Sequence, residues 1–179
     1  MRYLAIDYGA RRLGLAVCDE SETLASPHGA LTRQNLKLDL AALLQTVRGL
    51  NIEGLVFGLP RSTNASQVGD SESAARDFAS RLESALQSEN LALEIAWQDE
   101  RFSTREALNA MKSAGISQKR GRESLGSDNT DARSAAIILQ SFLDAKHARQ
   151  NDIANNRVLE SRADEPSSIV KNEPKDLFA

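Results

Sequence analysis

Three acidic positions stand apart from the other carboxylates of this 179-residue chain by their context. Asp7 ends an otherwise apolar run that begins at Tyr3. Asp99 and Glu100 end a later run of alternating apolar residues, and Asp131 stands on the apolar face of a helical pattern. Clustered carboxylates repel one another, and burying them without a partner is costly. A bound cation would compensate that cost if the fold brings these positions together.

The composition of the chain narrows the choice of cation. Cys18 is the only cysteine, and His28 and His147 are the only histidines. Disulfides within the chain and metal sites built on several thiolates or imidazoles are therefore excluded. Carboxylate oxygens are ligands that suit Mg²⁺ or Mn²⁺. Two such ions roughly 4 Å apart would stabilise the attacking water and the leaving oxygen of a phosphodiester, so the carboxylates favour phosphoryl chemistry.

Each acidic position also has a purely structural interpretation. Asp7 suits a turn, and Asp99 or Glu100 suits a strand end paired with an arginine. Asp131 suits the first turn of a helix, where the helix dipole favours a negative charge. Only the meeting of all three positions at one sheet edge favours a catalytic role.

Basic residues concentrate between two of the candidate acids. Residues 101–122 contain six basic residues against one acidic residue, in a chain whose formal net charge is −3. That net charge excludes coating of nucleic acid by bulk electrostatics, so any polyanion must bind at a local patch. A solvated loop is the alternative interpretation of this segment. We predict that the phosphate backbone of a substrate contacts Arg12, Arg101, Lys119, Arg120 and Arg122.

The periodicity of apolar residues predicts the elements that would position these side chains. Strands are predicted at 3–7, 13–18, 24–31, 53–59 and 91–97, and helices within 36–47, 68–86, 103–111 and 131–142. Three opening strands suit an antiparallel meander, and the later alternation suits parallel strands with right-handed crossovers. We therefore predict an α/β fold: a five-stranded mixed sheet, three antiparallel strands followed by parallel strands, with helices on both faces.

The composition and the apolar periodicity together predict the domain organisation. Hydrophobic residues make up 41% of the chain and charged residues 26%, which supports a packed core. Because the apolar periodicity stops near residue 148, we predict one domain over residues 1–147 and a disordered tail over 148–179. No apolar run reaches the length of a signal peptide or a membrane span, which predicts a cytoplasmic protein without membrane contact.

Four segments resemble, in order, the motifs of the YqgF/RuvX family of the RNase H-like superfamily. They are residues 5–9 with 12–16, residues 56–60, residues 99–107, and Asp131 with residues 134–140. The resemblance spans about residues 3–145 and implies an RNase H-like fold with a carboxylate site for Mg²⁺ or Mn²⁺.

The resemblance also implies roles for individual residues. It places the first-strand aspartate of the family at Asp7, its strand-end acid at Glu100 or the neighbouring Asp99, and its helix aspartate at Asp131. Members of the family are described as nucleases that process pre-16S rRNA, and some as Holliday junction resolvases.

These observations together predict a metal-dependent nuclease that matures the 5′ end of pre-16S rRNA in ribosome biogenesis. Its partner would be nucleic acid, either pre-rRNA or branched DNA, and its oligomeric state a monomer or a dimer. The alternatives are a Holliday junction resolvase, which must cut two strands in concert, and an inactive RNase H-like module that binds RNA or protein. An actin-like ATPase needs two such domains, and this chain is too short for both.

Overall fold

The computed structural model describes residues 1–59, 65–99 and 128–163, and within them a single mixed sheet organises the fold. The sheet has five strands in the spatial order β3-β2-β1-β4-β5. Strand β1 pairs antiparallel with β2, and β2 with β3, whereas β1 pairs parallel with β4, and β4 with β5. The elements are β1 (Tyr3–Tyr8), β2 (Arg12–Cys18), β3 (Ala25–Thr32), α1 (Leu36–Gly49), β4 (Gly54–Leu59), α2 (Ala65–Ser88), β5 (Glu94–Asp99) and α3 (Asp128–Ala163).

This arrangement confirms the predicted fold class. All five strands and the helices α1 and α2 lie where the periodicity predicted them, to within a few residues, whereas α3 begins near its predicted start and ends later. The predicted helix at 103–111 lies outside the described residues. Strand β3, which contains Pro27, is at the edge of the sheet. A proline is tolerated there, because no further strand needs its missing N–H as a donor.

The two faces of the sheet carry two apolar clusters. Leu4 and Ile6 of β1 belong to a cluster that includes Leu43 of α1 and Leu82 of α2. The alternate residues of the same strand, among them Ala5, belong to a second cluster with residues of α3. Helices therefore cover both faces, as predicted, since successive strand residues point to opposite sides. Each large side chain buried in this way contributes about 1.5–3 kcal/mol.

Helix α3 extends further along the chain than its apolar periodicity does. Residues Met1–Lys146 form one compact unit and a second unit begins at His147, while the helix itself continues to Ala163. Residues 148–163 are thus helical, although we expected disorder there. They contain neither glycine nor proline, so nothing in them interrupts a helix that has already begun. The predicted boundary at residue 147 and the disorder of 164–179 stay predictions.

The described residues contain the three helices α1, α2 and α3. None of those in residues 36–49, 65–88 and 128–163 is long and apolar enough to span a membrane.

Candidate active site at the carboxyl edge of the sheet

The carboxyl ends of the three parallel strands meet at one edge of the sheet. Ile6 of β1 lies beside Phe57 of β4, and Phe57 lies beside Trp97 of β5. Asp7 follows Ile6 directly, and β5 ends two residues after Trp97, at Asp99. Because ligands of α/β sheets collect beyond the carboxyl ends of the strands, this edge is the natural place for a site.

Asp7 lies on the face of the sheet that α3 covers. It alternates with Tyr3 and Ala5, both of which pack in the α3 cluster, and it is itself partly exposed. The neighbouring residues Ile6 and Tyr8 pack on the opposite face. Strand alternation therefore directs the Asp7 carboxylate towards the side from which α3 approaches.

A glycine in β2 brings the start of α3 next to Asp7. Gly14 is the residue directly opposite Asp7 in the antiparallel ladder. A Cβ atom added to Gly14 would lie 2.1 Å from the backbone oxygen of Asp131, far inside van der Waals contact. The first turns of α3 thus rest on the bare backbone of β2, which places Asp131 near Asp7. Sequence reasoning gave Gly14 no role, although a glycine inside a strand is a known mark of close backbone approach.

Arg12 supplies a positive charge at the same place. Its Nη1 atom lies 3.7 Å from Oδ2 of Asp131, and the two side chains are 31% and 37% exposed. Since both groups are partly solvated, this ion pair contributes no more than about 1 kcal/mol to stability. The structure therefore brings three of the predicted site residues together: Asp7, Asp131 and Arg12.

The remaining predicted site residues are not described to the same extent. Asp99 is the last residue of β5, beside Leu59, and only its backbone is described. Outside the described residues lie Glu100, Arg101, Lys119, Arg120 and Arg122. Within residues 1–59, 65–99 and 128–163, no group of three or more His, Cys, Asp or Glu side chains is arranged to hold a metal ion.

The donors that are described fit a hard divalent cation. Asp7 and Asp131 offer carboxylate oxygens at a partly exposed edge, where an ion can exchange with solvent. Cys18, the one thiol of the chain, is buried, and its Sγ atom accepts a hydrogen bond from the Tyr3 backbone N–H at 3.1 Å. Burial raises the pKa of the Cys18 thiol. Oxygen ligands without thiolate are the set that Mg²⁺ and Mn²⁺ prefer.

A buried glutamine fixes how far α3 lies along the sheet. Gln140 is 3% exposed. Its Oε1 atom accepts from the Ala25 N–H at 2.9 Å, and its Nε2 atom donates to the Thr23 carbonyl at 3.0 Å. These bonds join the middle of α3 to the β2–β3 turn, so they support the position of Asp131 two and a half turns earlier. The sequence offered only a polar residue on a helix, which did not distinguish Gln140 from an exposed one.

A second anchor joins α3 to the same β2–β3 turn and to the start of β1. Lys146 donates to Glu22 and, at 3.0 Å, to the Tyr3 hydroxyl. The hydrogen bond from Lys146, together with one from the N-terminal amine, lowers the pKa of the Glu22 carboxyl. Helix α3 is therefore held at three points along residues 131–146.

The sheet order, antiparallel from β3 to β1 and parallel from β1 to β5, is that of an RNase H-like fold. The structure superposes on Thermus thermophilus RuvC, solved in complex with a Holliday junction substrate, with a TM-score of 0.56 and 13% identity, over 82% of this chain and 96% of that one. The yeast mitochondrial Holliday junction resolvase Ydc2 gives a TM-score of 0.55 at 7% identity, over 79% of this chain and 77% of that one. At these identities the likeness concerns the fold.

Sequence comparison identifies the family. The family model described as "RuvX: Holliday junction resolvase" matches residues 1–145. A relative from Anaeromyxobacter sp. (strain Fw109-5), named "Putative pre-16S rRNA nuclease", is 36% identical over 150 residues, which are 83% of this chain and all of the relative. A relative of the same name from Rickettsia peacockii is 31% identical, over 79% of this chain and 85% of its own length. The chain belongs to the RuvX family, which confirms the resemblance.

Proposed function

We propose that this protein is a metal-dependent nuclease that hydrolyses phosphodiester bonds in the maturation of the 5′ end of pre-16S rRNA. The observation that carries the proposal is the close approach of α3 to Gly14, which brings Asp131 to the sheet edge beside Asp7. The names of the relatives favour the rRNA substrate. Such an activity would place the protein in the cytoplasm.

Asp7 and Asp131 would hold one or two Mg²⁺ or Mn²⁺ ions together with a third carboxylate. A divalent ion, when bound, supplies Lewis-acid stabilisation of the charge that develops on the phosphodiester. The third carboxylate would come from Glu100, with Asp99 as the alternative. In β5, Ala96 packs with the α3 cluster, and Trp97 packs with the cluster on the opposite face. Because strand side chains alternate between the faces, this parity favours Glu100 over Asp99 as the third carboxylate.

The basic residues would hold the substrate backbone. Arg12 already lies beside Asp131, where a phosphate group bound to the site would meet its guanidinium. Its planar fork of N–H donors matches the oxygens of a phosphate. The other proposed backbone contacts are Arg101, Lys119, Arg120 and Arg122.

A cleavage assay tests the proposal. The purified protein is incubated with a labelled RNA precursor that spans the 5′ end of 16S rRNA, in Mn²⁺, Mg²⁺ or EDTA. We expect cleavage that requires the metal and that is abolished in Asp7→Asn and Asp131→Asn. Asp77→Asn, which changes an exposed carboxylate on α2, is the matched control and should cleave normally. Unchanged turnover in Asp7→Asn would refute the assignment of the site.

A Holliday junction resolvase is the second candidate function. It is favoured by the description of the family model and by the two resolvase structures that share the fold. A labelled four-way DNA junction in the same assay separates the two functions. Paired, symmetric cuts in the junction by a dimer would replace the rRNA proposal, whereas binding of nucleic acid without any cleavage would indicate the inactive module.

A further inference from the structure

The turn between β1 and β2 connects two residues of the proposed site. Asp7 lies just before it, and Arg12 begins β2 just after it. The Gly9 N–H donates to the Arg12 carbonyl at 2.9 Å, and a Cβ atom on Gly9 would lie only 2.7 Å from the same oxygen. The turn is therefore closed tightly, and a shift of its backbone would move Asp7 and Arg12 together.

A single arginine from the end of β3 holds both sides of this turn. The Arg33 backbone N–H donates to the Arg11 carbonyl at 3.0 Å. Its Nη1 atom donates to the Gly9 carbonyl at 3.3 Å. Because Arg33 reaches the turn through backbone carbonyls, it fixes the path of the chain and not the conformation of one side chain.

Arg33 is itself fixed by α1. Its Nε atom donates to Oδ2 of Asp39 at 3.2 Å, and the Gln34 N–H donates to Oδ1 of the same carboxylate at 3.0 Å. Asp39 is 6% exposed, and the Arg33 side chain is 22% exposed. A buried carboxylate with both oxygens engaged holds a planar guanidinium in one orientation.

Two aromatic rings complete the surroundings of Arg33. Its guanidinium carbon lies 4.6 Å from the centre of the Tyr8 ring and 5.4 Å from that of Phe78 in α2. The two rings are 5.2 Å apart. Tyr8 follows Asp7 and packs on the opposite face of the sheet, so Arg33 supports the end of β1 from behind the site.

We propose that Arg33 is a positioning residue that fixes the β1–β2 turn and, through it, the placement of Asp7 and Arg12. Its catalytic consequence rests on the proposed nuclease function. The Arg33 side chain donates to the Gly9 carbonyl on the face of the sheet away from the Asp7 carboxylate, so it acts through the turn and not on the substrate. The planar fork is essential to this role, since it bonds Gly9 and Asp39 while its guanidinium carbon lies over the Tyr8 ring.

The test combines two variants of Arg33 with a matched control. Arg33→Met removes the fork, whereas Arg33→Lys keeps a positive charge for Asp39 without the planar fork. Arg48→Met is the control, because Arg48 forms an ion pair with Glu89 at the surface of α1, away from the turn. Three measurements are made on each protein: single-turnover cleavage, which gives the rate and the RNA dissociation constant, the affinity for Mn²⁺, and the hydrogen-exchange rate of the Gly9 amide by NMR.

For Arg33→Met we expect a single-turnover rate about 10- to 100-fold lower, because a displacement near 1 Å costs about that much. The dissociation constant for RNA should change less than the rate, Mn²⁺ should bind more weakly, and the Gly9 amide should exchange faster. Arg33→Lys should recover part of each effect, and Arg48→Met should match the wild type in all three.

Two results would overturn the inference. One is a wild-type Gly9 exchange rate in Arg33→Met, which would show that the turn does not depend on this side chain. The other is faster Gly9 exchange with an unchanged cleavage rate and Mn²⁺ affinity, which would show that the turn does not position the site. If the wild-type protein cleaves no substrate, only the proposed function fails. The Gly9 exchange rate and the Mn²⁺ affinity of the variants still test whether Arg33 fixes the turn and the site.

Discussion

The contact between Gly14 and α3 gives the sharpest test of how the fold builds the site. In Gly14→Ala the new Cβ atom would begin 2.1 Å from the Asp131 backbone oxygen, and ordinary contact starts at 3.4 Å. Backbone atoms of β2 and α3 must therefore separate by about 1 Å or more, and neither is a flexible side chain. Overpacking of this kind costs about 1–3 kcal/mol of stability.

The functional consequence should exceed the loss of stability. Separating α3 from β2 moves Asp131 away from Asp7 by a similar distance. A 1 Å misplacement at a reacting centre costs about 100-fold in rate. We therefore expect Gly14→Ala to remain folded and to cleave RNA about 100-fold more slowly than the wild type, measured in single turnover at saturating Mn²⁺, with urea unfolding in parallel.

Gly49→Ala is the matched control for this experiment. A Cβ atom at Gly49, the last residue of α1, would meet no atom within 4 Å. The substitution should leave cleavage unchanged and stability equal or higher, because alanine restricts the unfolded chain more than glycine does. If Gly14→Ala also cleaves RNA at the wild-type rate, the contact of α3 with Gly14 does not position Asp131, and the prediction is refuted.

Two further predictions concern the anchors of α3. Gln140→Leu leaves the Ala25 N–H and the Thr23 carbonyl without their partner, and should lower the free energy of unfolding by about 1–3 kcal/mol in urea titrations; an unchanged midpoint and slope would contradict this. The folded-state pKa of Glu22 lies below its unfolded value near 4.5. The stabilisation of the folded state by the Glu22 carboxylate is therefore fully present above pH 4.5 and is lost as the pH falls through the folded pKa. Urea unfolding at pH 7 and below pH 4.5 should show a smaller acid-induced loss in Glu22→Gln than in the wild type, and equal losses would refute the linkage.

Much of the fold followed from the sequence because strand parity and helical spacing are local signals. The apolar run from Tyr3 to Asp7 predicted β1, and the helical spacing within residues 36–47 predicted α1. The continuation of α3 beyond residue 148 was not predicted, because a polar helix without an apolar stripe leaves no periodic signal.

The contacts that assemble the site were not accessible in the same way. The approach of Asp131 to Gly14 joins positions more than 100 residues apart, and a glycine within a strand signals a close approach without identifying the partner. The network around Arg33 likewise unites residues of β1, α1 and α2 that look ordinary in sequence. Such sites depend on tertiary packing, which the local pattern of a single sequence does not encode.

The proposed nuclease function requires that Asp7 and Asp131 hold a divalent ion at the carboxyl edge of the sheet. Titration of Mn²⁺ followed by electron paramagnetic resonance measures this directly in the wild type, Asp7→Asn, Asp131→Asn and the Asp77→Asn control. We predict saturable binding in the wild type and in the control, and an affinity at least about 10-fold weaker in each of the other two variants. Equal Mn²⁺ affinity in all four proteins would show that Asp7 and Asp131 do not hold the ion.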